Sequence, residues 1–246
     1  MKTLGVGIVL MVALFFCLPY HLYMKQLWKK NPEKSWEKAR KFVSGFFRFE
    51  LKLSGCKVNV IGKENIPQDG PVLFVGNHRS YFDILIYHEA IGKPLGFLAK
   101  KEMEKIPLLS TWMKNLYMRD IGCLFLDRED IKQGLSVIKQ GTEYMKQGHS
   151  MVVFPEGTRN QTDTLLPFRE GGYKMAEKSK SPIVPVSICR SDLMLESAPK
   201  KRIHSHSVTI EFGKPIYPCE LPPKERKERY AEFPQLIQDM YDKNNI

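Results

Sequence analysis

Short apolar runs alternate with longer stretches of helical periodicity along most of the chain. Seven runs have the length and β-branched content of buried strands, at 58–61, 72–75, 95–99, 123–126, 151–154, 183–188 and 208–212. Apolar residues three to four apart predict helices over 80–90, 103–116, 131–147, 171–178 and 224–241. This alternation predicts an α/β fold for residues 54–246, a single layered domain with a largely parallel sheet flanked by helices.

The first 53 residues follow a different pattern. Residues 3–24 carry no charged side chain, and about 20 apolar residues suffice to cross a membrane. From residue 34 onward, aromatic and aliphatic residues recur at helical spacing with Lys and Arg between them, which is typical of a helix lying on anionic lipid. We expect residues 1–53 to form an N-terminal membrane anchor, an apolar helix plus a basic amphipathic helix.

The geometry of this anchor stays open between a spanning helix and a hairpin sunk into one leaflet. A surface helix packed on the body is the alternative for the amphipathic segment. A cleaved signal peptide would need small residues at its cleavage site, and residues 16–20 offer none.

Positive charge is concentrated in the same segment. The 246-residue chain holds 38 Lys and Arg against 27 Asp and Glu, a net charge of +11. Residues 1–53 hold ten cations and three anions, which leaves a net +4 for the rest. Such an excess favours an anionic partner, and with no nucleic-acid-binding module recognisable we expect a lipid membrane and no nucleic acid. The positive-inside rule then places the body on the cytoplasmic side of the inner or plasma membrane.

The first chemically unusual sequence, Asn77-His78-Arg79-Ser80-Tyr81-Phe82-Asp83, lies between a predicted strand and a predicted helix. Ser80-x-x-Asp83 has the form of a capping box, which would make Asp83 a helix-capping residue. The carboxylate of Asp83 could equally bond one ring nitrogen of His78, fix its tautomer and leave the other nitrogen as a general base. No Ser or Cys nucleophile is evident beside His78, so such a base would activate a hydroxyl of the substrate.

The second unusual sequence, Phe154-Pro155-Glu156-Gly157-Thr158-Arg159, follows another predicted strand. Gly157 permits close approach of the backbone, and Arg159 suits bidentate recognition of phosphate or carboxylate. An ordinary turn with a solvent-facing arginine is the alternative for this segment taken alone.

Together the two motifs resemble those of the glycerolipid acyltransferase family, and within it the bacterial-type 1-acyl-sn-glycerol-3-phosphate (lysophosphatidic acid) acyltransferases. Three further segments agree in order, although Met103 stands where the family usually has Leu: Lys100-Lys101-Glu102-Met103, Gly122-x-x-x-Leu126-Asp127-Arg128 and Ile183-Val184-Pro185-Val186. The resemblance extends from about residue 58 to residue 212.

The resemblance implies an enzyme of phospholipid biosynthesis. It would transfer an acyl chain from acyl-CoA or acyl-carrier protein to the 2-hydroxyl of 1-acyl-glycerol-3-phosphate, giving phosphatidate without an acyl-enzyme, a metal or another cofactor. His78 would be the catalytic base and Asp83 would orient it. The implied substrate-binding residues are the phosphate-binding cations Arg159, Lys100 and, more weakly, Arg128, together with Glu156 and Gly157 at the glycerol pocket. Whether Lys100 or Lys101 faces the site stays open.

Three other hypotheses are kept. The same chemistry could act on another lyso-lipid, because the residues that select a headgroup cannot be identified. A thioesterase would replace the lipid hydroxyl with water, but it would need neither an anchor nor phosphate-binding cations. A non-enzymatic basic protein that docks on membranes would account for the charge but not for the two motifs.

Overall fold

A computed structural model describes residues 2–93, 95–101, 123–127 and 130–245. The helix predicted at 103–116 lies outside these residues. The strands are β1 (Lys57–Ile61), β2 (Leu73–Gly76), β3 (Leu95–Lys100), β4 (Leu124–Leu126), β5 (Ser150–Val153), β6 (Ile183–Cys189) and β7 (Ser207–Phe212). The α-helices are α1 (Lys2–Lys30), α2 (Pro32–Ser54), α3 (Phe82–Ile91), α4 (Ile131–Lys146), α5 (Lys174–Ser179) and α6 (Pro223–Asn244). All seven predicted strands are therefore present, and each end lies within one residue of its prediction.

The strands form one sheet in the order β1-β7-β6-β2-β5-β3-β4. Neighbouring strands are parallel except β6 and β7, which are antiparallel, so the predicted largely parallel sheet is confirmed. Strand β2 lies beside β5, with Phe74 opposite Val152. Because both strands point the same way, the residues that follow them emerge side by side at one edge of the sheet.

Helices cover both faces of the sheet, and side-chain alternation along the strands divides the core between them. Phe74 of β2 packs with α1, α2 and α3, and we call this side the α2 face. Its neighbours Leu73 and Val75 pack with α4, α5 and α6, which we call the α5 face. The carboxyl edge of β2 and β5 therefore lies between two separately built hydrophobic layers.

The two N-terminal helices form a hairpin that packs on α3. Asn31 caps α2, its side chain accepting from Lys34 N at 3.0 Å, and Pro32 supplies the φ angle that suits a first helical residue. Ser35 Oγ donates to the carbonyl of Met24 in α1. Among the residues that the structure describes, no helix is long and apolar enough to cross a membrane.

Candidate active site

His78 lies in the turn between β2 and α3, and Asp83 lies in the first turn of α3. Asp83 Oδ2 is 2.7 Å from Nδ1 of the His78 ring and accepts from the backbone N–H groups of Arg79 at 2.7 Å and Ser80 at 2.9 Å. The side chain of Asp83 is fully buried, and a buried carboxylate needs such donors. Asp83 thus caps the helix and contacts the histidine at once, so the two alternatives from the sequence coexist.

The ring of His78 is held on its face as well as at Nδ1. It stacks on the ring of Phe154, the residue after β5, with centroids 4.1 Å apart and planes 10° apart. No described residue bonds to Nε2, and His78 lines a cavity of about 600 Å³. The ring therefore has a fixed orientation and a second nitrogen that is available at the cavity.

Glu156 ties the two motifs together. Its Oε1 accepts from the backbone N–H of His78 at 3.1 Å, and its Oε2 accepts from Asn160 Nδ2 at 2.9 Å and Leu166 N at 3.0 Å. Asn160 N in turn donates to the carbonyl of His78 at 2.7 Å. The carboxylate is 7% exposed and does not line the cavity, so its described contacts hold the two loops in register.

Arg159 lines the same cavity. Its Nη1 donates to Glu196 Oε1 at 3.0 Å, and its guanidinium carbon lies 3.7 Å from the centroid of the Tyr81 ring. Glu196 also accepts from Ser80 Oγ and from the backbone N–H of Tyr81. The arginine is thereby fixed against the start of α3, close to the His78 turn, with its side chain about one-third exposed.

A second, buried arginine anchors the loop after Arg159. Arg79 Nε donates to Asp192 Oδ1 at 2.8 Å, and its Nη atoms donate to the carbonyls of Thr162 and Gln161. Burial alone would raise the pKa of Asp192, but the hydrogen bond and charge of Arg79 outweigh it and hold that pKa below its usual value. This ion pair is structural because it has no access to the cavity.

The rest of the cavity is largely apolar. Gly157 lines it with φ +76°, a left-handed conformation that favours glycine. Apolar wall residues come from α3, β3, β4 and α4, namely Ile84, Phe97, Ala99, Leu126, Leu135 and Ile138. A cavity of this size and character, with a few polar groups at one end, is typical of a site for a largely apolar ligand.

The structure brings most of the predicted site residues together. His78, Gly157 and Arg159 line the cavity. Asp83 contacts the His78 ring, and Glu156 accepts hydrogen bonds from both loops. Lys100 is the last residue of β3, but its side chain lies outside the described part of the structure, as does all of Arg128. Lys101 Nζ lies 3.1 Å from Asp127 Oδ2.

Sequence reasoning missed the residues that hold the motifs in place. Glu196 and Asp192 belong to the loop after β6, more than 30 residues beyond the second motif, and no periodicity or spacing marks them. Phe154 belongs to the second motif, but nothing in the sequence indicates that its ring stacks on His78. The strand order alone brings these groups to the same edge.

Comparison with known proteins identifies the family. The acyltransferase family model matches residues 57–189, more than half of the chain, and the chain belongs to this family. It is an acyltransferase, as the motifs predicted.

Two curated relatives carry the name "probable 1-acyl-sn-glycerol-3-phosphate acyltransferase". The one from Mycoplasma pneumoniae is 34% identical over 76% of this chain and 70% of its own length. The one from Mycoplasma genitalium is 30% identical over 85% of this chain and 78% of its own length. The crystal structure of the 1-acyl-sn-glycerophosphate acyltransferase PlsC from Thermotoga maritima shares the fold, with a TM-score of 0.75, 23% identity, and coverage of 99% of this chain and 95% of that one.

Proposed function

We propose that this acyltransferase acylates the 2-hydroxyl of 1-acyl-glycerol-3-phosphate and so forms phosphatidate. The observation that carries the proposal is the oriented His78–Asp83 pair at the wall of an apolar cavity that Arg159 also lines. The names of the curated relatives support the same acceptor. Acyl-CoA and acyl-carrier protein are the two donors considered.

His78 acts as the general base. Asp83 accepts a hydrogen bond from Nδ1–H and so leaves Nε2 with a free electron pair, which takes the proton of the 2-hydroxyl. The oxygen then bonds to the thioester carbonyl carbon, and the tetrahedral intermediate collapses with cleavage of the carbon–sulfur bond. The proton on Nε2 passes to the departing thiolate, so His78 ends neutral and no acyl-enzyme forms.

Arg159 binds the phosphate of the acceptor. A guanidinium can engage two phosphate oxygens at once, and such charge-assisted bonds strengthen as water leaves the cavity. Glu196 and the Tyr81 ring hold this guanidinium beside the His78 turn, which would place the glycerol hydroxyl of the bound lipid near the base. Lys100 and Arg128 stay predicted contributors.

The helices α1 and α2 bind the membrane on its cytoplasmic side. Half of the large apolar side chains that are exposed in the described structure lie on these two helices, namely Leu4, Leu22, Tyr23, Phe49 and Leu53. Exposed lysines lie among them, including Lys34, Lys41 and Lys52 of α2. Apolar groups beside cations suit an anionic lipid surface, and the acceptor lipid would then enter the cavity from the α2 face.

A panel of acceptors tests the substrate. Full-length protein is given palmitoyl-CoA with lysophosphatidate or with lyso-lipids that bear larger headgroups, and release of free thiol is followed. We expect thiol release to require lysophosphatidate. If another lyso-lipid is turned over and lysophosphatidate is not, the proposed acceptor is contradicted. Thiol release without any acceptor would indicate a thioesterase.

Replacing the base tests the mechanism. We expect His78→Ala to lower kcat by roughly 10²- to 10⁴-fold, the usual contribution of a general base, with vesicle binding unchanged in a flotation assay. His204→Ala, in an exposed position outside the cavity, is the matched control. Equal loss of activity and vesicle binding would instead indicate a structural role for His78.

A further inference from the structure

Three cations of the α5 side line the cavity and have no part in the function described above. They are Arg169, Lys174 and Lys178. Lys174 and Lys178 are four residues apart in α5, so their side chains project from the same side of that helix. The backbone N–H of Arg169 donates to the carbonyl of Pro155 at 3.0 Å, which places Arg169 directly beside the second motif.

Little negative charge compensates this group. In the described part of the chain, no carboxylate pairs with the side chains of Arg169 or Lys178, and Lys174 bonds Glu177 at 3.1 Å. The cavity-lining carboxylates are engaged elsewhere, Asp127 with Lys101 and Asp130 as the N-cap of α4. Cations that line one cavity repel one another, and a bound polyanion would remove that cost.

These cations and Arg159 line the same cavity but are held by different elements of the fold. Arg159 contacts Tyr81 and Glu196, next to the start of α3 and so on the α2 face. The three cations belong to α5 and the chain just before it, whose buried residues Tyr173 and Met175 lie in the core of the α5 face. His78 lies at the edge of the sheet between the two faces, and we infer that the two sets of cations serve two different anionic groups.

We propose that Arg169, Lys174 and Lys178 bind phosphate groups of the acyl donor, either the phosphate next to pantetheine or the nucleotide phosphates of CoA. The inference rests on the proposed function, in which both substrates carry phosphate and their reacting groups must meet at His78. The lipid acceptor arrives from the membrane at the α2 face and uses Arg159. The water-soluble donor arrives at the opposite face, where exposed cations meet its phosphates while its acyl chain lies along the apolar wall.

The test removes the three charges together in the full-length protein. The variant is R169Q/K174Q/K178Q, and the control K139Q/K224Q/K227Q loses three exposed lysines that do not line the cavity. Three palmitoyl thioesters are compared as donors, those of CoA, of 4′-phosphopantetheine, and of N-acetylcysteamine, which has no phosphate.

We expect the KM for palmitoyl-CoA to rise at least about tenfold in the first variant, the effect of losing one charge-assisted hydrogen bond. The KM for lysophosphatidate and the turnover of the N-acetylcysteamine thioester should match the control. A rise shared by the phosphopantetheine thioester assigns the cations to the phosphate next to pantetheine, and a rise confined to CoA assigns them to the nucleotide phosphates. Either result supports the proposal.

Two results would overturn it: an unchanged KM for both phosphorylated donors, or a rise in the KM for lysophosphatidate in their place. Calorimetric binding of free CoA gives a readout that does not depend on the acceptor. If lysophosphatidate is not turned over, the proposed function fails, but weaker CoA binding by the R169Q/K174Q/K178Q variant than by the control still supports the donor site. Equal CoA binding by the two variants refutes it.

Discussion

Asp83 Oδ2 accepts hydrogen bonds from the His78 ring and from two backbone N–H groups. The orientation of the His78 ring therefore depends on the same atom that caps α3. The Phe154 ring stacks on the face of the His78 ring, and Glu156 accepts a hydrogen bond from the backbone N–H of His78. Three residues from two distant motifs thus determine where one imidazole points, and each can be changed by a nearly isosteric substitution.

Asp83→Asn removes the charge and keeps a capping oxygen. An amide oxygen in the position of Oδ2 can still accept from the backbone N–H groups and from Nδ1, so we expect the melting temperature to fall by only a few degrees. The neutral amide cannot stabilise the imidazolium that forms when Nε2 takes a proton, and kcat should fall roughly 10²- to 10⁴-fold. Measured kcat within a few-fold of wild type would leave Asp83 with the capping role alone.

Arg159→Gln tests the acceptor phosphate. We expect the KM for lysophosphatidate to rise about tenfold or more, because a charge-assisted hydrogen bond is lost, while the KM for the acyl donor changes little. Glu196→Gln keeps the cation but weakens its restraint, so a smaller rise is expected. An unchanged KM for lysophosphatidate in Arg159→Gln would exclude this arginine from phosphate binding.

At the scale of elements, α2 contributes both an exposed basic side and a buried side that contains a carboxyl group. Glu50 is 5% exposed, and burial raises its pKa from 4.5 to about 6. Compared with the unfolded chain, the folded protein therefore favours the protonated carboxyl group of Glu50. The stability that this preference contributes is complete below pH 4.5. It is lost as the pH rises through about 6.

Glu50→Gln should therefore stabilise the protein at neutral and higher pH. We expect the free energy of unfolding to rise by about 2 kcal/mol at pH 8 and to change little at pH 4, measured by denaturant unfolding across that range. Glu228→Gln, at an exposed position of α6, should show no such pH dependence. A gain that is independent of pH would contradict the role assigned to burial of the charge.

At the scale of the whole molecule, the two faces of the sheet carry different tasks in the proposed function. The α2 face carries the helical hairpin and Arg159, and the α5 face carries the donor-side cations. The carboxyl edge of β2 and β5 lies between them and holds His78. This arrangement gives the lipid and the water-soluble donor separate routes to one base.

The proposed membrane binding is assigned to the α2 face. We expect the full-length protein to bind phosphatidylglycerol vesicles more tightly than phosphatidylcholine vesicles, and less tightly as salt is raised. K34Q/K41Q/K52Q on α2 should weaken binding by about fivefold per charge, since each cation near an anionic surface contributes about 1 kcal/mol. K139Q/K224Q/K227Q serves as the control, and equal losses in both variants would indicate general charge attraction without a specific docking side.

The sequence by itself determined the elements and the identity of the reactive groups. Apolar runs and helical periodicity placed all seven strands, and the spacing of His78 and Asp83 brought base and carboxylate together within one turn. Such features are local, because they depend on residues that are neighbours in the chain.

Only the tertiary structure decided what surrounds those groups. The strand order brings Phe154 and Glu156 beside His78, the loop after β6 delivers Glu196 to Arg159, and β7 runs antiparallel to β6. No local pattern encodes these contacts, because they depend on which strands pair and on how two hydrophobic layers close around the sheet. For the same reason, the gathering of Arg159, Arg169, Lys174 and Lys178 around one cavity became visible only in the folded chain.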